Sequence, residues 1–271
     1  MRTLIIRILW TLPLALLAGC TLPETTAPPA NPPPLAPPMT AVFQETQSQW
    51  ETIIPGLERR DYVPQGQPLS QIIALRIDPL YYTFRVHYRP NDPLSLAQWT
   101  ETLPGALAIV NGNFFDQEGE VVGLLVADGV VYGTPFQDYG GTFAVSSGIP
   151  QIRSNIHIPY VGEPLEQALQ GFPVLVLNGA QAYANNSTNR IARRTVIGQD
   201  GQGRIILMAT PFVGLTLFDL SAYLARSDME LVNAFNLDGG GSTMMYLAPG
   251  ERPLALNSFD PVPAVLAVYP R

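Results

Sequence analysis

From about residue 50 onward, apolar residues fall in short runs separated by clusters of Gly, Pro, Asn and Asp, the pattern of strands joined by tight turns. "IIALRID" (72–78) and "TFRVHY" (83–88) read as an early strand pair, with Asp78-Pro79 opening the turn between them. "ALAIVNGNFF" (106–115) and "VVGLLVADGVVYG" (121–133) follow, and the second folds back on itself at Asp128-Gly129, a dipeptide suited to a two-residue hairpin turn. Later strands are "TFAV", "PVLVLNG", "RTVIGQD" paired with "RIILMAT" across "GQG", "AFNLD", "MMYL" and "PAVLAVY".

Helical periodicity is rarer. Residues 216–228, "TLFDLSAYLARSD", have Thr216 as N-cap, Asp219 as a capping-box acid and Leu217, Leu220 and Leu224 on one face. "LSLAQWTETL" (94–103) and "PLEQALQ" (164–170) also read as helices. Strands outnumber helices and seldom alternate with them, so the pattern predicts an α+β fold of mixed or antiparallel sheets with a few packed helices, in a single domain over residues 41–271.

The first twenty residues, "MRTLIIRILWTLPLALLAGC", differ from the rest. Arg2 and Arg7 precede an apolar run too short to span a bilayer, as in a secretory signal. The ending Leu17-Ala18-Gly19-Cys20 resembles the bacterial lipobox. That resemblance implies a signal peptide over residues 1–19, a lipidated Cys20 and an extracytoplasmic protein anchored to the cell membrane. The following "TLPETTAPPANPPPLAPPMT" reads as an extended tether, because proline stiffens the chain.

Composition removes several chemistries. Cys20 is the single cysteine of the 271 residues, so the folded part has no cysteine for a disulfide, a thiolate nucleophile or a zinc site. All fifteen basic residues are Arg, which excludes a phosphate-loop lysine, a Schiff base and a Ser-Lys dyad. Two histidines, His87 and His157, cannot build a three-His zinc site, and each falls in a stretch that reads as strand. The net charge is −7, or −9 once Arg2 and Arg7 are removed with the signal, and there is no basic run for nucleic acid.

Three clusters remain. In "AFNLDGGGSTMMYL" (234–247) an apolar strand runs into Asp238, then Gly239, Gly240, Gly241 and Ser242. Three ordered glycines are entropically costly, and their bare backbone can aim several N–H groups at an anion, while the adjacent acid can bind a metal, contact a sugar hydroxyl or react. A tight turn capped by the acid is the alternative. In "NGNFFD" (111–116), Asn111 and Asn113 alternate along the chain, Phe114 or Phe115 offers an apolar floor for a sugar ring, and Asp116 is a nearby acid. Here the alternative is a strand end with both Phe in the core. In "RIARRTVIG" (190–198), Arg193 and Arg194 face opposite ways on a strand, and Arg194, followed by Thr195, is the candidate phosphate ligand unless an acid pairs with it. Calcium held by Asp and Asn oxygens stays open.

Together, in this order, and followed by "VPAVLAVYP", the three clusters resemble the phosphodiester glycosidase family over about residues 50–271. The resemblance implies a hydrolase that cleaves a sugar-1-phosphodiester at the anomeric carbon. It assigns catalytic roles to Asp238, Arg194 and Asn111, and substrate or phosphate binding to Gly239, Gly240, Gly241, Ser242, Thr195, Asn113, Phe115 and Asp116. A non-catalytic module that binds phosphosugar or envelope glycopolymers is the competing expectation.

Overall fold

Among the described residues, the alternation of core and surface positions resolves into eighteen strands and two short helices. The computed structural model describes residues 49–64, 67–187, 190–250 and 253–271, all within one compact unit, Phe43–Arg271. In chain order the strands are β1 (Glu51–Ile54), β2 (Leu57–Tyr62), β3 (Ile72–Ile77), β4 (Tyr82–Tyr88), β5 (Ala108–Asn111), β6 (Leu125–Ala127), β7 (Val130–Tyr132), β8 (Gly141–Ser146) and β9 (Ile149–Ser154). They continue with β10 (Gln167–Gly171), β11 (Val174–Leu177), β12 (Ala180–Gln181), β13 (Thr195–Asp200), β14 (Ile205–Ala209), β15 (Leu231–Asn236), β16 (Met245–Leu247), β17 (Leu254–Leu256) and β18 (Ala264–Pro270). The helices are α1 (Leu96–Thr102) and α2 (Leu217–Leu224).

An eight-stranded sheet runs β1-β2-β3-β14-β13-β15-β11-β12, and two five-stranded sheets run β7-β6-β10-β8-β9 and β17-β16-β5-β18-β4. One core cluster draws Leu207 and Phe235 from the large sheet, Phe143 and Leu169 from the second and Phe84 and Leu266 from the third. α2 covers the outer face of the large sheet, packing Leu220 and Leu224 among Leu175, Val196 and Ile206. α1 covers the outer face of the third sheet through Leu96, Trp99 and Leu103 against Ile109 and Val265, and the Trp99 indole N–H donates to Val262 O at 3.1 Å.

Both helices are capped at their starts, and the Thr216 cap is the one its sequence signals. Thr216 Oγ1 accepts from Asp219 N at 3.0 Å and donates to its carboxylate, and Ser95 forms a capping box with Gln98. The Asp128-Gly129 hairpin and the β13–β14 hairpin also form as the sequence predicts.

Four expectations are corrected. Every strand pairing described is antiparallel and helix is scarce, so the fold is mainly β, a loose fit to α+β. Residues 164–170 are not a helix. Most of the segment is β10, in which Gln167 and Gln170 are buried. Gln170 Oε1 accepts from Leu124 N at 2.9 Å and Phe136 N at 2.7 Å, and its amide donates to Thr142 Oγ1. A glutamine that satisfies backbone groups inside a core leaves a polar mark in a strand buried on both faces, which mimics helical spacing. The segments 72–78 and 83–88 do not pair: the turn closes, with Tyr81 N bonded to Asp78 O, but β3 joins β2 and β14 while β4 joins β18. His157 lies in a turn after β9, and its N–H bonds Ser154 O.

Candidate active site

The three sequence clusters meet where the large sheet and the third sheet end together. β15 pairs with β13 through Val196 opposite Asn236, Leu237 N donates to Thr195 O, and Asp238 N then donates to Gly112 O at 3.2 Å. The chain turns through a short 3-10 segment, Gly240–Ser242, and enters β16, which pairs with β5.

Asn111 ties these elements together from behind. Its Nδ2 donates to Asp238 O at 2.7 Å, and its Oδ1 accepts from Thr195 Oγ1 at 2.7 Å and from Met244 N at 3.1 Å. With Asn111 and Thr195 both buried, their polar atoms fix the loop that carries Asp238. Asn113 serves a different neighbour, donating to Leu124 O at 2.9 Å, and its buried Oδ1 has no partner among the described residues. The two amides are therefore divided between two sets of backbone groups.

Asp238 is half-buried, and its Oδ1 accepts from Gly239 N at 2.8 Å. Burial pushes its carboxyl above the ordinary carboxylate value and the charge of Asp260 adds to the rise, while hydrogen bonds from Ser242 and Gly239 oppose it. Asp260 lies outside the three clusters. A Cβ on Gly241 would sit 1.8 Å from Asp260 Oδ2, and the N–H groups of Phe259 and Asp260 both donate to Gly241 O. What a side chain at 241 would meet first is thus a second carboxylate set against the loop, a contact across 19 positions that no local spacing signals.

The glycine amides are largely satisfied within the chain. Gly239 N meets the Asp238 carboxylate, and Gly240 N donates to Arg193 O at 2.8 Å. Ser242 N and Thr243 N close the 3-10 turn. Among the described residues, Gly241 is the member of the run whose N–H has no chain acceptor.

Arg193 and Arg194 adjoin this loop, and among the described residues neither forms a salt bridge. Arg193 is buried, grips Thr243 O at 2.7 Å and Asn257 O at 3.0 Å, and stacks 4.7 Å from the Phe259 ring centroid. Arg194 is half-buried and donates to Leu215 O and Arg190 O. Burial lowers the pKa of both guanidiniums, and the charge of Arg190 lowers that of Arg194 further. Carbonyls satisfy the donors of these guanidiniums without neutralising their charge.

The remaining candidates lie elsewhere. Phe115 packs into the Trp99 cluster, while Phe114 stacks on Phe172 with centroids 4.6 Å apart. Asp116 Oδ1 accepts from Glu118 N and Glu120 N, which closes its own turn. His87 contacts the Tyr269 hydroxyl in the third sheet. Among the described residues, no three His, Cys, Asp or Glu side chains cluster as a metal set.

A family model for phosphodiester glycosidases matches residues 104–269, a span that contains Asn111, Arg193, Arg194, Asp238 and Asp260. The chain belongs to the phosphodiester glycosidase family. The mouse (Mus musculus) N-acetylglucosamine-1-phosphodiester alpha-N-acetylglucosaminidase is 31% identical over 167 residues, covering 51% of this chain and 31% of its own length. The chain therefore spans about a third of that curated relative. Among solved structures, the pro-peptide-inhibited catalytic domain of the zebrafish enzyme of that name superposes with a TM-score of 0.59 at 20% identity, covering 84% of this chain and 88% of the other. A hypothetical protein from Synechocystis gives 0.60 at 14% identity, covering 83% and 64%. At these identities the superpositions establish the fold.

Proposed function

We propose that this phosphodiester glycosidase domain hydrolyses a sugar-1-phosphodiester at the glycosidic C1–O bond, releasing a free sugar and a phosphate monoester. The reading is carried by one juxtaposition: a half-buried carboxylate, Asp238, on a loop whose neighbours Arg193 and Arg194 have no carboxylate partner among the described residues. A phosphate monoester is a good leaving group, so stabilising its charge replaces much of the work of a general acid.

In this mechanism the guanidinium of Arg194 and the N–H of Gly241 bind the phosphate oxygens, and buried Arg193 adds positive potential. Asp238, held through one oxygen by Gly239 N, uses the other to accept a proton from water as that water bonds to C1. The C1–O bond breaks, its electrons stay with the phosphate oxygen, and the sugar keeps the hydroxyl. Asp260 raises the proton affinity of Asp238, bringing a weak base closer to working pH. Asn111 and Thr195 are positioning residues. Lipidation at Cys20 would place the reaction outside the cytoplasmic membrane, on phosphosugar or glycopolymer substrates of the envelope.

Hydrolysis of an aryl or alkyl sugar-1-phosphodiester in ¹⁸O-labelled water tests the bond. Label is expected in the sugar. Label in the phosphate would make the protein a phosphodiesterase, and binding without turnover would make it a binding module. Parallel reactions with calcium and with chelator test the metal.

A further inference from the structure

Beside the glycine loop, an aromatic tract leads into a second cleft. Phe114 follows Gly112, whose carbonyl accepts from Asp238 N, and Phe172 O accepts from Asn236 Nδ2 two residues before Asp238. The Phe114 ring packs on Phe172 at 4.6 Å, and Phe172 meets Phe136 and Tyr139 edge-on at 5.6 and 5.8 Å. Phe136 and Tyr139 stack at 4.6 Å and line a cleft of about 530 Å³ together with Glu120, Gln137 and Asp138. Tyr139 is 50% exposed and Phe172 38%, so the tract presents ring surface to solvent.

The cleft walls are fixed in place. Gly123, at φ +87°, has the Phe136 ring where its Cβ would stand, 2.8 Å away, and the Cβ position of Gly133 lies 2.2 Å from Gly123 O. Gln170 binds the N–H groups of both Leu124 and Phe136, pinning the two walls to one side chain. The cleft's volume suits a small polar ligand.

We infer that this cleft is a neutral-sugar subsite, so that the substrate is the phosphodiester of an oligosaccharide chain and not of a single sugar. Exposed aromatic faces accept the C–H face of a pyranose, and the planar polar groups at the rim take its hydroxyls. Charge decides the direction. The cleft is lined by two acids, Glu120 and Asp138, and by no arginine, whereas Arg193 and Arg194 stand beside Gly239 and Gly240 and offset Asp238 and Asp260 there, so the phosphate belongs at the glycine loop and the uncharged glycan extends along the tract.

This inference rests on the proposed function for its phosphodiester, so its test includes a readout that needs no turnover. The full chain is applied to an array of neutral, anionic and phosphorylated oligosaccharides, as wild type, Tyr139→Trp and Tyr139→Ala, with melting curves for each. Neutral glycans are expected to bind wild type and Tyr139→Trp, and Tyr139→Ala with about ten-fold lower affinity at unchanged melting temperature. The kcat/KM ratio of trisaccharide to monosaccharide aryl phosphodiesters is expected to fall in Tyr139→Ala. No neutral glycan bound, a preference for anionic glycans, or equal binding by Tyr139→Ala would each overturn the subsite, even if monosaccharide phosphodiesters are hydrolysed. Tyr139-dependent sugar binding without hydrolysis would instead keep the subsite and remove the glycosidase reading.

Discussion

At the scale of single residues, the proposed chemistry turns on Asp238 and the carboxylate set against its loop. Asp238→Asn keeps the shape and the Gly239 contact but removes the base, so turnover is expected to fall by roughly 10²-fold or more with the fold intact. Near-normal kcat would take Asp238 out of the mechanism. A carboxyl raised above 3.8 by burial and by Asp260 must lose its proton to act as a base, so the acidic limb of kcat/KM should lie above that ordinary value. Asp260→Asn removes the repelling charge and should move the limb to lower pH. Gly241→Ala pushes the same carboxylate aside and should move it in the same direction with little loss of melting temperature, because the displaced atom ends a flexible, exposed side chain. An unmoved limb in both variants would break the coupling. For stability the sign is opposite to that of a salt-bridged acid. The raised pKa contributes stability below the ordinary value, and that contribution is lost as pH rises through the folded value.

At the scale of elements, buried amides do what sequence spacing cannot announce. Gln170 closes the gaps between β6, β8 and β10 by serving Leu124, Phe136 and Thr142. Gln170→Leu keeps the volume but orphans two N–H groups, each costing about 1–3 kcal/mol. The melting temperature should fall by at least about 5 °C, and a smaller change would mean that those donors find other partners. The helix start at Thr216 was legible because a cap is a local event, settled within four residues. The strand partners of 72–78 and 83–88 were not, because pairing is chosen by which faces must be buried after the chain has turned.

For the whole molecule, no helix among the described residues is long and apolar enough to cross a membrane, and the proposed attachment lies outside the described residues, at Cys20. Lipidation there would partition the protein into detergent, and Cys20→Ser should release it or leave its signal uncleaved. Full membrane retention of a cleaved Cys20→Ser protein would exclude the anchor. The expected signal peptide, residues 1–19, and tether, residues 20–40, also lie outside the described residues.

The sequence by itself determined the strand-rich character, two of the three expected helices and the family, since the Asp-Gly-Gly-Gly-Ser run and the motifs before it are contiguous in the chain. It also named Asp238, Asn111, Arg194 and Thr195, which the fold gathers within a few hydrogen bonds. Only the tertiary structure decided how they divide the work. Asn111 spends its amide on the backbone, most glycine N–H groups are already bonded, Phe114 and not Phe115 faces the aromatic tract, and Asp260 arrives from a distant loop. The reason is physical: a motif records which residue types must be present, whereas the partner that satisfies each donor or crowds each glycine is fixed by contacts between segments far apart in the chain.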